Sequence, residues 1–417
     1  MDAFALAAFF LALIGGAGWV NAKVFKLPSA VAMAIAGCLA AFVIVVGRTV
    51  APGASHLAAA LAGIDFPTAI LRYLLAFLLF AGAMQVDLAA LRRTWSAVLS
   101  LATLGTLAST AIVGLGAYAL AQAFGAPLSL PWAIAFGALI SPTDPVAVLA
   151  AVHRAGLSTT LKTILQGEAL FNDGVGIVVF TAAAAIASAG GGADVGAEIV
   201  RVCFEALGAV TLALAASWAT VAAMRRIDDY AVEVTLTLAL ATGLYAGASA
   251  LHVSAPIAVA VAGIAIGNIP VGAAMSERTR LYLRSFWELV DEILNALLFA
   301  LFGLQAAAIA FDWRLGGFWF AVLALVIVAR LLVIAPWTPA LAKRGERGAA
   351  PILLWGGMHG ALSAALALLT PLGPARDVIV PLTFAVVMFS ILVQGSTFTA
   401  LARRYAPADR NASAHDR

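Results

Sequence analysis

Ser141-Pro142-Thr143-Asp144-Pro145 and, one apolar segment later, Gly167-Glu168-Ala169-Leu170-Phe171-Asn172-Asp173-Gly174 decide how this chain reads. Both stretches set polar residues inside long apolar runs. A carboxylate at bilayer depth costs roughly 2.5–3.5 kcal/mol even on the lenient insertion scale. Asp144, Glu168 and Asp173, with Asn172 beside them, are too costly to be incidental there. They point to an ion pathway.

Working outward, composition sets the class. Of 417 residues, 63% are apolar and 11% charged, whereas soluble domains carry about 25% charged residues. The expectation is an all-α membrane protein built from helices of about 20 residues. The two cysteines, Cys38 and Cys203, sit in apolar stretches, so no disulfide framework or CxxC metal site follows from them. Nucleotide-binding loops, zinc motifs and nucleophile elbows are absent. That argues against an enzyme and against a cofactor, and leaves an ion gradient as the energy source. The N-terminus is apolar from Phe4 but opens with Asp2 and has no basic region. It reads as a retained first span rather than a cleaved signal.

Thirteen apolar segments lie near 4–20, 28–47, 69–86, 97–121, 132–151, 163–188, 199–223, 231–251, 255–268, 286–310, 317–341, 351–371 and 378–401. Connections are brief, and the polar tail 406–417 is expected to be disordered. With the N-terminus outside, eighteen Lys and Arg fall on one side and five on the other. Arg330 alone lies deep inside a span. This bias makes the basic side cytoplasmic.

Pro142 and Pro145 each remove a backbone donor and disfavour helix in the preceding residue. The fifth span should therefore break at Ser141–Asp144. The twelfth carries Gly356-Gly357-Met358-His359-Gly360, where a similar break is expected. Spans five and twelve occupy corresponding places in two halves of inverted topology, a pattern that marks transporter sites. On the sixth span, Asn172 shares a face with Glu168. Asp173 lies about 140° round the helix from Glu168. One carboxylate is thus expected to hold an ion and the other a structural partner. The candidate partner is Arg330, since a buried Arg is tolerable only when paired.

These motifs resemble those of bacterial sodium/proton antiporters of the first monovalent cation:proton antiporter family, the NhaP type. The carrying residues are Ser-Pro-Thr-Asp-Pro at 141–145 and Gly-Glu-x-x-x-Asn-Asp at 167–173. Phe286-Trp287-Glu288 with Asn295 and Phe299, Arg330, Trp355-Gly356-Gly357 and Gln394-Gly395 also fit. The resemblance covers essentially the whole chain. It implies a homodimer in the bacterial inner membrane, with the N-terminus outside and the C-terminus cytoplasmic. It also implies a fold with two broken, crossing helices. Residues 1–96 and 229–311 would form a scaffold and dimer surface from spans 1–3 and 8–10. Residues 97–190 and 312–405 would form a mobile core from spans 4–6 and 11–13. Residues 191–228 would link them, and 406–417 would be the cytoplasmic tail.

Carried over residue by residue, Asp173 looks like the carboxylate that binds the cation or proton, with Thr143 and Asn172 as neighbours. Asp144 looks like the charge compensating the half-helix ends, with direct ion contact as the alternative. Glu168 and Arg330 look like a structural ion pair. His359 reads as a core histidine or a modulatory pH-sensing group. Glu288, Asp291 and Glu292 read as a cation funnel or a solvated helix end. Three departures from the family pattern thin the first coordination shell: Ala169, Ala81, and Gly357-Met358-His359-Gly360 in place of Gly-Leu-Arg-Gly. The expected transported ions are H+ and Na+, with Li+ or K+ as alternatives. Competition at the single carboxylate Asp173 implies one-for-one, electroneutral exchange by alternating access. A cation channel and an intramembrane aspartyl protease built on Asp144 and Asp173 are the competing readings. Phe171-Asn172-Asp173 lacks the Gly-x-Gly-Asp pattern of such a protease.

Overall fold

A computed structural model describes residues 3–47, 65–144, 157–189, 195–269, 275–306, 309, 312–346 and 348–405. All the regular secondary structure among these residues is helical. In chain order the helices of eight residues or more are α1 Ala3–Val20, α2 Ser29–Gly47, α3 66–84, α4 Leu88–Phe124, α5 Leu130–Ile140, α6 Thr159–Ser188 and α7 Val195–Met224. They continue with α8 Tyr230–Ala250, α9 Ala255–Gly267, α10 Glu277–Ala306, α11 Gly316–Ile334, α12 Ala349–Gly356, α13 Ala361–Leu368 and α14 Pro374–Tyr405. Among the described residues, eight helices are long and apolar enough to cross a membrane. The bent pair α12 and α13, turned by 40°, makes a ninth if it forms one span. Helices are the economical solution in hydrocarbon because each satisfies its own backbone.

Helix ends follow local chemistry. Asp87 caps α4 by accepting from Ala89 N at 2.7 Å and Ala90 N at 3.2 Å. Asp229 caps α8 by accepting from Ala231 N and Val232 N. Ser158 caps α6 through Leu161 N. Proline opens α5, α9 and α14, where its missing donor costs nothing. Three helices begin well before their apolar runs. α4 starts at Leu88 rather than 97, α6 at Thr159 rather than 163, and α10 at Glu277 rather than 286. The reason is that amphipathic turns with caps can leave the bilayer while staying helical. At α10, Ser276 Oγ accepts from Thr279 N, and Thr279 Oγ1 donates to Asp228 Oδ1 at 2.9 Å.

α2 and α10 pack along one another, as do α3 and α9, and α8 lies against α9 and α10. α4 packs on α5 and α11, and α5 on α6. Gly37 meets the Ala300 carbonyl and Gly303 the Ala34 carbonyl, so α2 and α10 approach with no room for a Cβ on either glycine. α6 touches α9, and α10 touches α13. The stacked rings of Phe302 and Phe384, 4.9 Å apart, join α10 to α14. α1 is largely exposed, with Phe4 84% accessible, which suits a lipid-facing helix.

Candidate functional site

α5 ends at Ile140, and residues 141–144 leave the helix. Pro142 cannot donate, so the freed groups find side chains instead. Ser141 Oγ donates to the Gly137 carbonyl at 2.6 Å and lies 3.2 Å from Thr110 Oγ1. Asn172 on α6 grips the next residue twice. Its Nδ2 donates to Thr143 Oγ1 at 2.9 Å, and its Oδ1 accepts from Thr143 N at 3.4 Å. The second half of this segment, from Pro145, lies outside the described residues.

The second break, 357–360, separates α12 from α13 and meets the first. Asp144 N donates to the Met358 carbonyl at 2.7 Å. His359 Nδ1 lies 3.2 Å from the Pro142 carbonyl, which makes that nitrogen the protonated one. His359 is buried there as part of the packing. The Asp144 carboxyl occupies the space that a Cβ on Gly360 would need. Gly360 precedes the first turn of α13, where free amides and the helix dipole favour negative charge.

Thr143, Asp144, Ala169 and Asp173 face a cavity of about 110 Å3 together with Asp291 and Asn295 from α10. Several carboxylates on one small cavity favour a bound cation or proton over an empty site. Gln85 and Gln166 line this cavity and also a wider vestibule of about 560 Å3. The two spaces are therefore continuous in their walls. Ala81 belongs to the vestibule wall and Ala169 to the cavity wall, so neither supplies an oxygen.

Glu168 points away from this cavity. Arg330 of α11 donates Nη1 to Glu168 Oε1 and Nη2 to Oε2, the latter at 3.0 Å. The same guanidinium donates from Nε and Nη2 to the Leu353 carbonyl at 3.1 and 3.0 Å. It passes where a Cβ on Gly357 would sit. The structure thus brings Thr143, Asp144, Asn172 and Asp173 together and sets Glu168 with Arg330 apart from them.

Asp291, one of three acids read from the sequence as a cation funnel or a solvated helix end, lies at the cavity. Its oxygens accept from Asn295 Nδ2 at 2.9 Å and Gln85 Nε2 at 3.3 Å, on the wall of the cavity. The four-residue spacing to Asn295 was the available signal. Glu288 lines the vestibule, and Glu292 is exposed.

Residues 9–404 match the family model described as "Sodium/hydrogen exchanger, transmembrane". The chain is 45% identical over 361 residues to the Na(+)/H(+) antiporter NhaP of Pseudomonas aeruginosa, covering 84% of this chain and 85% of that protein. It is 32% identical over 395 residues to the Na(+)/H(+) antiporter NhaH of Halobacillus aidingensis, covering 92% and 93%. The sodium proton antiporter MjNhaP1 of Methanocaldococcus jannaschii shares the fold, with a TM-score of 0.70 at 17% identity over 98% of this chain and 100% of that one. On this combination of matches, the chain belongs to the transmembrane sodium/hydrogen exchangers, a family of secondary transporters rather than enzymes.

Proposed function

We propose that the protein exchanges a monovalent cation, Na+ first among candidates, for H+ by competition at Asp173. The observation that carries this reading is that the non-helical segments 141–144 and 357–360 meet beside a small cavity that Asp173 faces. Broken helices at a midplane site offer backbone groups and dipole ends to ions. Asp173 binds either the cation or the proton. Occupancy by either one cancels a buried charge that is too costly to carry across alone. Asn172 and Thr143 hold the break in shape, and Asp144 offsets the half-helix ends. Glu168 and Arg330 tie α6 to α11 and α12.

In this reading the thirteen apolar segments each cross the bilayer, with α12 and α13 as one crossing, and the two broken helices cross. α4–α6 and α11–α14 form the moving core, α1–α3 and α8–α10 the scaffold, and α7 links them. The vestibule carries Lys162, Arg280 and Arg284 and opens to the cytoplasm. The family resemblance supports a homodimer in the bacterial inner membrane. The names of the curated relatives support sodium, and Li+ and K+ remain to be separated by assay.

The test is reconstitution with a proton-sensitive dye, adding Na+, Li+ and K+ in turn. Wild type is expected to move protons against at least one of them. Asp173→Asn is expected to abolish exchange while keeping wild-type yield and elution. Retained cation-driven proton movement in purified Asp173→Asn would sink the assignment.

A further inference from the structure

The vestibule carries more positive charge than a cation route calls for. Lys162 on α6 and Arg280 and Arg284 on α10 line it, along with Asp87 and Glu288. Charge sidedness explains basic residues on this face. It does not explain three of them lining one concavity of about 560 Å3. Arg280 and Arg284 are four residues apart and share a helix face. Neither makes an ion pair among the described residues. Arg284 reaches only the Gly267 carbonyl, at 3.5 Å. Of the two acids, Asp87 spends Oδ1 on the cap of α4. Glu288 sits one turn further along α10, on the way to Asp291 and the inner cavity. Three basic side chains against two acidic ones leave the lining with a small net positive charge, concentrated at Arg280 and Arg284.

Paired guanidiniums match the fork of phosphate oxygens, and an ammonium opposite adds a point charge. The vestibule is also within the size range of small-ligand sites. Its basic wall is divided. Lys162 stands on α6, the helix of Asp173, while Arg280 and Arg284 stand on α10, which packs on α2. We propose that a small phosphate-bearing anion binds between Lys162 of α6 and Arg280 and Arg284 of α10, and that it slows exchange by tying these helices together. This rests on the antiport reading, in which α6 moves against α10. A soluble anion and an anionic lipid headgroup share the required chemistry.

Two arms separate these sources. In the first, full-length protein in detergent is titrated with Tris pyrophosphate by calorimetry, with Tris chloride at equal ionic strength as reference. In the second, exchange is measured in phosphatidylcholine vesicles with and without Tris pyrophosphate, and in vesicles containing phosphatidylglycerol. The expected result is at least twofold slower exchange with pyrophosphate or with phosphatidylglycerol, relieved in Arg280→Gln/Arg284→Gln. Each variant is referred to its own rate in neutral vesicles. Arg280→Gln alone serves where the double variant fails to fold. Slowing by pyrophosphate, with binding at least tenfold weaker in the variant, assigns a soluble anion. Slowing by phosphatidylglycerol alone assigns a headgroup. No slowing in either arm, or slowing that the substitutions leave intact, overturns the proposal. Wild type that exchanges nothing in neutral vesicles overturns the antiport reading instead, while calorimetry still reports on the anion site.

Discussion

Arg330 places every donor-bearing arm of its guanidinium against oxygen, two on Glu168 and the rest on the Leu353 carbonyl. With side chains only 10% and 3% accessible, Arg330 and Glu168 are expected to depend on one another. Removing one partner strands a buried charge at a cost of about 3–5 kcal/mol. Glu168→Gln and Arg330→Gln are each expected to lower Tm strongly, and the double variant to recover part of the loss. Strictly additive losses in the double-mutant cycle would rule out that dependence. This adjacency was legible because a span holds a single deep Arg, and because five residues on a helix turn Glu168 away from Asp173. The bond from His359 to Pro142 was not legible. It depends on how two breaks far apart in sequence meet, and no periodicity encodes that.

At the scale of elements, close approach between helices is set by residues without side chains. Gly303→Ala would drive a methyl into the Ala34 carbonyl, which cannot swing aside. A loss of roughly 1–3 kcal/mol is expected, as for other overpacked sites. Gly243→Ala on α8 is the matched control, since nothing lies within 4 Å of its added methyl. That change is expected to be neutral or to gain up to about 1 kcal/mol from helix propensity. Thermal unfolding of the two purified variants checks the contrast. A Gly303→Ala protein as stable as wild type would mean that α2 and α10 can slide apart at little cost. Sequence located most helices well because apolar runs measure the bilayer. It misplaced the starts of α4, α6 and α10 because caps and amphipathic turns carry helices beyond the apolar run. The extra turns of α6 and α10 hold Lys162, Arg280 and Arg284.

For the whole molecule, the arrangement of charge bears on what drives transport. If Asp144 stays at the end of α13 and Glu168 with Arg330, Asp173 alone changes partner in the cycle. One proton then crosses against one monovalent cation, with no net charge moved. Exchange of Na+ or Li+ in proteoliposomes is therefore expected to be indifferent to a clamped diffusion potential at fixed pH and cation gradients. Moving one net charge would be worth about 2.3 kcal/mol per 100 mV, so a second moving charge would be plain in the rate. A steep voltage dependence would identify Asp144 or Asp291 as a further titrating group. The all-helical class and the family were legible from composition and motifs. Asp291's place in the cavity needed tertiary packing, because helix-end acids look alike in sequence whether they face solvent or a cavity.

The interlock of the two breaks also constrains inheritance. The first half of the chain supplies Asp144 and Glu168, and the second supplies the bare Gly360 and Arg330 that receive them. Neither half is a transferable module. A hybrid gene that joined this first half to a related second half with any side chain in the place of Gly360 would set that side chain against the Asp144 carboxyl. Positions 144 and 360 are thus expected to drift as a pair, so that the two halves of the gene must evolve together.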